Sequence, residues 1–155
     1  MYGDRCTIII CKCGVTIKNM EGVLYDAANL IGSQIGPQQT NAVYIKALAL
    51  ELQGRNMTVS EEAPIPIMFT PSSPDSMQHS RASHIVGIKY ANIMIETPWR
   101  IVIESRVAEI VSDDHRANAR GIAIASNAVD CFTVCFGRSG LVTVEQVQII
   151  NNEDQ

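Results

Sequence analysis

The chain has 155 residues, 46% of them hydrophobic and 18% charged, with a formal net charge of −4 at pH 7. That is enough apolar material for one buried core, so a single domain over residues 1–155 is expected and a largely disordered chain is excluded. The negative balance, with no cluster of Lys or Arg at either end, argues against strong nucleic-acid binding.

No stretch approaches eighteen uninterrupted apolar residues, so no membrane partner is expected. The opening MYGDRCTIII is too short for a signal peptide. Five cysteines, an odd count, suit free thiols in a reducing, intracellular (cytoplasmic) setting better than a disulfide framework.

In chain order, residues 5–18 (RCTIIICKCGVTIK) predict strand, either one strand kinked at Gly14 or a hairpin turning at Lys12 to Gly14. A helix follows. Met20, Val23, Leu24, Ala27, Leu30 and Ile31 form one apolar stripe at helical spacing, with Asn19 as N-cap, Gly32 as C-cap and Asp26 on the opposite face. The segment Asn41 to Leu52 reads two ways. Its Ala, Leu, Lys and Glu favour helix between Thr40 and Gly54, whereas Val43-Tyr44-Ile45 and the alternation of Leu48, Leu50 and Leu52 favour strand. The alternation leads us to expect strand over residues 43–52.

Pro64 and Pro66 allow at most an edge strand through Ile65 to Thr70, and a long Pro/Ser-rich loop follows at about 70–82. His84 to Ile95 and Trp99 to Val111 are the next strands, broken at Thr97-Pro98. In the second, Ile101, Ile103 and Val107 share one parity and Val102, Glu104 and Arg106 the other, which predicts one buried and one mainly solvated face. Ser112 to Arg116 is a polar connector with a helical turn capped by Ser112. Gly121 to Ile150 contains three apolar runs parted at Ser126-Asn127 and at Gly137-Arg138-Ser139-Gly140, the pattern of an antiparallel meander. Val142 and Val144 oppose Val147 and Ile149 in parity, so a β-bulge is expected near Glu145-Gln146. The sum is a mainly β fold, an antiparallel sandwich or jelly-roll-like barrel with one or two helices.

Few constellations carry chemistry. Cys11 and Cys13 share a strand face, as do Cys131 and Cys135, so four sulfurs could converge on zinc. Their spacing lacks the usual loop knuckles, and buried packing thiols are the preferred reading. His84, His115 and Asp113, with Asp114, Arg138 and Ser80 or Ser83, can be assembled into a hydrolytic set, but no recognisable catalytic motif contains them. His79 belongs to the long loop. The Gly137 to Gly140 segment is a turn rather than a phosphate loop, since no helix follows it. Trp99 is a core or interface anchor.

By elimination, these features predict a non-enzymatic, self-associating structural subunit, such as a virion or capsid component, acting as a homo-oligomer without cofactor in the cytoplasm or in an assembled particle. The alternative is a small-molecule-binding protein or hydrolytic enzyme with its pocket at the end of the β-sandwich.

Overall fold

A computed structural model of the chain describes residues 9–10, 16–17, 20–72, 82–96 and 99–149. Its elements are β1 (Ile9–Ile10), β2 (Thr16–Ile17), α1 (Met20–Ile35), α2 (Asn41–Gly54), β3 (Val59–Phe69), β4 (His84–Ile95), β5 (Ile101–Arg106), α3 (Asp113–Ala125), β6 (Asp130–Phe136) and β7 (Val142–Gln146). Strands β1 and β2 form a separate antiparallel pair, with Ile9 opposite Ile17, which agrees with the hairpin reading. The other strands make one mixed sheet in the order β3-β4-β5-β6-β7.

Neighbours in that sheet are antiparallel except β5 and β6, which run parallel because α3 carries the chain from one to the other. A parallel pair needs such a crossover. Two cores result, one on each face. Helices α1 and α2 cover Ile93, Ile95, Ile101, Ile103, Phe132, Val134 and Phe136, while α3 covers Ala63, Ile65, Met94, Val102 and Cys131. The architecture is therefore a helix–sheet–helix stack and not a sandwich or jelly roll. Its β content is substantial, but the sheet is mixed and single, and three helices among the described residues share the packing.

Helix α1 follows the predicted stripe: Met20, Leu24, Ala27 and Ile31 are buried and Asp26 is exposed. Leu30 departs from it and lies exposed, and the helix runs through Gly32 to Ile35, before Gly36 at φ +75°. The expected strand over 43–52 is helix α2. Its buried residues are Tyr44, Ile45, Leu48, Ala49 and Leu52, a helical spacing that the alternating leucines had masked, and Leu50 is exposed. Tyr44 seats this helix by stacking on Phe136, with ring centroids 4.1 Å apart, and by donating its hydroxyl to the Gly36 carbonyl at 3.0 Å.

Strand β3 is the sheet edge, where Pro64 and Pro66 are tolerated. In both β3 and β4 the odd-numbered residues change face part-way. Val59, Ile93 and Ile95 pack under α1 and α2, but Ala63, Ile65 and Ala91 pack under α3. A period-2 strand can do this only through an irregular residue. Glu62, at φ +46°, supplies it in β3, and Asn92 stands across from it in β4.

The predicted meander from Gly121 is corrected in its first run: Gly121 to Ala125 is the last part of α3, and only β6 and β7 form a hairpin. Ser112 does cap that helix, but through a full capping box with His115, and the helix extends far beyond one turn. The β-bulge expected near Glu145-Gln146 is absent: the β6–β7 register is regular, and Val142 and Val144 pack with α1 and α2 on one face while Val147 and Ile149 pack under α3 on the other, as plain alternation places residues of opposite parity. In the connecting turn, a Cβ on Gly137 would come 2.6 Å from a Glu109 carboxylate oxygen and 2.9 Å from the Leu141 carbonyl, so glycine is required there.

Candidate functional site

A further correction to the sequence reading concerns β5. Its Val102–Glu104–Arg106 face was expected to be solvated, yet α3 lies over it and Glu104 is only 2% exposed. A carboxylate this deep needs partners, and the fold supplies them from three elements. The pairing of β4 with β5 covers Met94 and its two neighbours, ending at Ile93 opposite Ile103. Beyond that point the strands are held by side chains. The Asn92 amide N–H donates to Glu104 Oε1 at 2.8 Å, and the Ser105 amide N–H donates to Asn92 Oδ1 at 2.9 Å. From α3, Asn118 Nδ2 donates to Glu104 Oε2 at 3.2 Å. From β5 itself, Arg106 Nη2 lies 3.3 Å from the same oxygen.

Arg106 is fixed further by donating Nη1 to the Ser105 carbonyl at 3.1 Å. Ser105, on the opposite face, is clamped to the start of α2: its hydroxyl donates to Asn41 Oδ1 at 2.9 Å, and Asn41 Nδ2 donates to its carbonyl at 3.0 Å. Thr133 stands beside Glu104 in the parallel register of β6, fully buried, with a hydroxyl that lacks a hydrogen-bond partner among the described residues. Burial raises the Glu104 pKa above the ordinary carboxylate range. Hydrogen bonding from Asn92, the charge of Arg106, Asn118 and then Lys89 act in the other direction and are outweighed. Lys89 is close enough to α3 that a Cβ on Gly121 would lie 3.3 Å from its Nζ.

The residues singled out from the sequence do not converge here. His84 is exposed at the start of β4, and His115 is used in the α3 cap, where its Nδ1 accepts from the Ser112 N–H at 3.2 Å. Asp113 pairs with Arg116, which also reaches Glu145. Among the described residues no hydrogen bond or ion pair links His84, His115 and Asp113: His84 stands in β4, while His115 and Asp113, both in α3, are engaged with Ser112 and Arg116. Asp114 and Arg138 are exposed, and the Arg138 turn is held by Ser139 donating to Glu109. Ser83 meets Thr70 across the base of the loop. His79, Ser80, Cys11 and Cys13 lie outside the described residues. Cys131 and Cys135 are buried free thiols. Cys131 is pushed up to about 12 by burial and then by the charges of Glu104 and Asp130. Trp99 is 43% exposed, so it is not a core anchor. An open groove of about 530 Å³ lies between β3 and the end of α3, lined by Glu61, Met94, Arg100 and Ser126, away from Glu104.

What sequence reasoning missed was Glu104, Arg106, Asn92, Asn118 and Asn41. A signal was present: Asn92 interrupts the apolar core of β4 (Ala91-Asn92-Ile93-Met94-Ile95), and Glu104-Ser105-Arg106 closes the apolar Ile101-Val102-Ile103. Polar residues inside two adjoining core strands are costly unless they serve each other.

Comparison with known proteins bears on the chain as a whole. The family model of the PD-(D/E)XK nuclease superfamily matches residues 18–147. No curated protein matches the chain. One solved structure, "Crystal structure of SSO0001", is similar over 84% of this chain and 66% of its own, at 10% identity and a TM-score of 0.46. The family's name spells a Pro-Asp and an (Asp/Glu)-x-Lys. Glu104-Ser105-Arg106 has the second pattern with arginine at its last position. Facing it from β4 is Asn92, a carboxamide, and the chain's Pro74-Asp75 lies outside the described residues. The match overturns the expectation of a non-enzymatic shell, virion or capsid subunit. That reading rested on finding no recognisable motif, and the polar residues gathered round Glu104 and Ser105 come from four elements, β4, β5, α2 and α3.

Proposed function

The chain belongs to the PD-(D/E)XK nuclease superfamily, and from that premise we propose that it acts on nucleic acid, with the Glu104–Arg106 centre meeting the phosphodiester backbone. The observation that carries this is the buried Glu104 on β5, held by Asn92, Asn118 and Arg106 in the strand pattern for which the family is named. The overall charge of −4 is no obstacle, because backbone contacts depend on local cations, and Arg106 and Lys89 both act on this one carboxylate.

A second reading, hydrolysis at the same centre, is favoured by the raised Glu104 pKa. Burial makes this carboxylate a stronger proton acceptor than an exposed one, the property needed to take a proton from an attacking water. One experiment serves both. The chain is incubated with labelled single- and double-stranded DNA and RNA oligonucleotides, and both anisotropy and product length are followed. Salt-dependent binding is expected, and any cleavage should disappear in Glu104→Gln. Absence of binding to every oligonucleotide refutes the proposal.

A further inference from the structure

Phosphodiester cleavage by carboxylate centres commonly employs divalent cations, and such cations take hard oxygen ligands, usually with more than one carboxylate. The residues of this centre do not fit one. Among the described residues Glu104 is its only carboxylate, and both of its oxygens already accept N–H donors: Asn92 on Oε1, Arg106 and Asn118 on Oε2. The Asn92 Oδ1 accepts the Ser105 N–H, and the Asn41 Oδ1 accepts the Ser105 hydroxyl. Among the described residues that leaves one open lone pair on Glu104 Oε1 and the neutral Thr133 hydroxyl, fewer and less charged oxygens than a divalent cation takes. Among the described residues no group of three His, Cys, Asp or Glu side chains is placed to hold a metal ion.

The charge balance has the same consequence. One carboxylate stands against two cations, Arg106 in contact and Lys89 nearby, so the centre has an excess of positive charge. Such a site repels a divalent cation and attracts an anion. Arg106 is partly exposed, with 28% of its side chain open to solvent, and its guanidinium retains N–H donors of the geometry that phosphate accepts.

We infer that Arg106 takes the place of a metal ion at this centre, so that it binds a phosphodiester group directly and independently of divalent cations. The inference rests on the nucleic-acid reading above and specifies how the backbone is met. Glu104 then acts as a positioning residue, orienting the guanidinium, and Lys89 supplies the second cation.

The test uses the full chain and two separate probes. Manganese alone is titrated into the protein and followed by water-proton relaxation. A labelled oligonucleotide is titrated in EDTA and in magnesium at matched ionic strength. The expected results are no saturable manganese binding in the millimolar range and equal oligonucleotide affinity in the two buffers. Arg106→Gln should weaken oligonucleotide binding and lower the slope of log affinity against log salt by about one. Lys89→Ala, on an exposed part of β4, should do the same and keeps the test readable should Arg106→Gln fold poorly. Asn92→Asp combined with Arg106→Lys should gain manganese binding, since it restores a second carboxylate and removes the fork that occupies the first. Stoichiometric manganese binding by the natural chain, lost in Glu104→Gln, overturns the inference while leaving the nucleic-acid reading intact. Oligonucleotide binding that is indifferent to both cation variants also overturns it alone. Failure of the natural chain to bind any oligonucleotide instead overturns the reading on which it rests.

Discussion

Replacing Asn92 by alanine isolates the device that holds β4 and β5 together at the site. Ser105 is fully buried, and its N–H has Asn92 Oδ1 as acceptor at 2.9 Å. Backbone pairing cannot supply a substitute, since the β4–β5 ladder has already ended at Ile93 opposite Ile103. Truncation therefore leaves a buried donor without a partner, which costs about 1–3 kcal/mol. The Asn92 N–H to Glu104 bond is made by the backbone and persists in the variant, so the loss should come mainly from the Ser105 donor, with the long 3.5 Å contact from Arg106 Nη1 to Asn92 Oδ1 lost beside it. Asn92→Leu keeps a side chain of similar shape without an acceptor oxygen and so separates loss of the acceptor from loss of side-chain shape. Equilibrium denaturation in urea, with midpoint and slope compared, measures the difference. A loss smaller than about 0.5 kcal/mol in Asn92→Ala, within the range of ordinary surface changes, would refute the idea that this side chain completes the pairing.

Three further outcomes are expected. Because burial raises the Glu104 pKa, the folded state holds that proton more tightly than the unfolded state, whose carboxyl titrates near 4.5. Stability from this group is present below the unfolded pKa and is lost as pH rises through the folded one, so Glu104→Gln should gain relative to the natural chain from about pH 4.5 upward; denaturant midpoints across a pH series check it, and the opposite slope would contradict it. Thr133→Val removes a buried hydroxyl that has no partner among the described residues and should be neutral or stabilising by about 1 kcal/mol, whereas a clear loss in thermal denaturation would reveal a partner for that hydroxyl. The Cys131 thiol, pushed up to about 12, should resist thiol reagents at pH 8 until the protein unfolds, and rapid labelling of the native chain would count against its burial.

The amino-acid sequence determined those elements whose identity depends on near neighbours. The α1 stripe, the Ser112 cap and the proline-limited edge strand all follow from spacing over a few residues, and spacing is what a linear chain displays. Where local signals conflicted, tertiary packing decided. Leu48, Leu50 and Leu52 alternate like a strand, but Tyr44 stacking on Phe136 and burial of Leu48 and Leu52 together make α2 a helix. Packing also decided the class of the fold. A polar connector after β5 became α3, and its crossover set β6 parallel to β5 and closed over Glu104. From sequence alone Glu104 shares a parity with Arg106 and looks solvated. Its burial depends on a helix that begins at Asp113, and its partners Asn92 and Asn118 stand 12 and 14 residues away along the chain. Convergence across such separations is a property of strand order and helix placement, which hydrophobic periodicity does not encode.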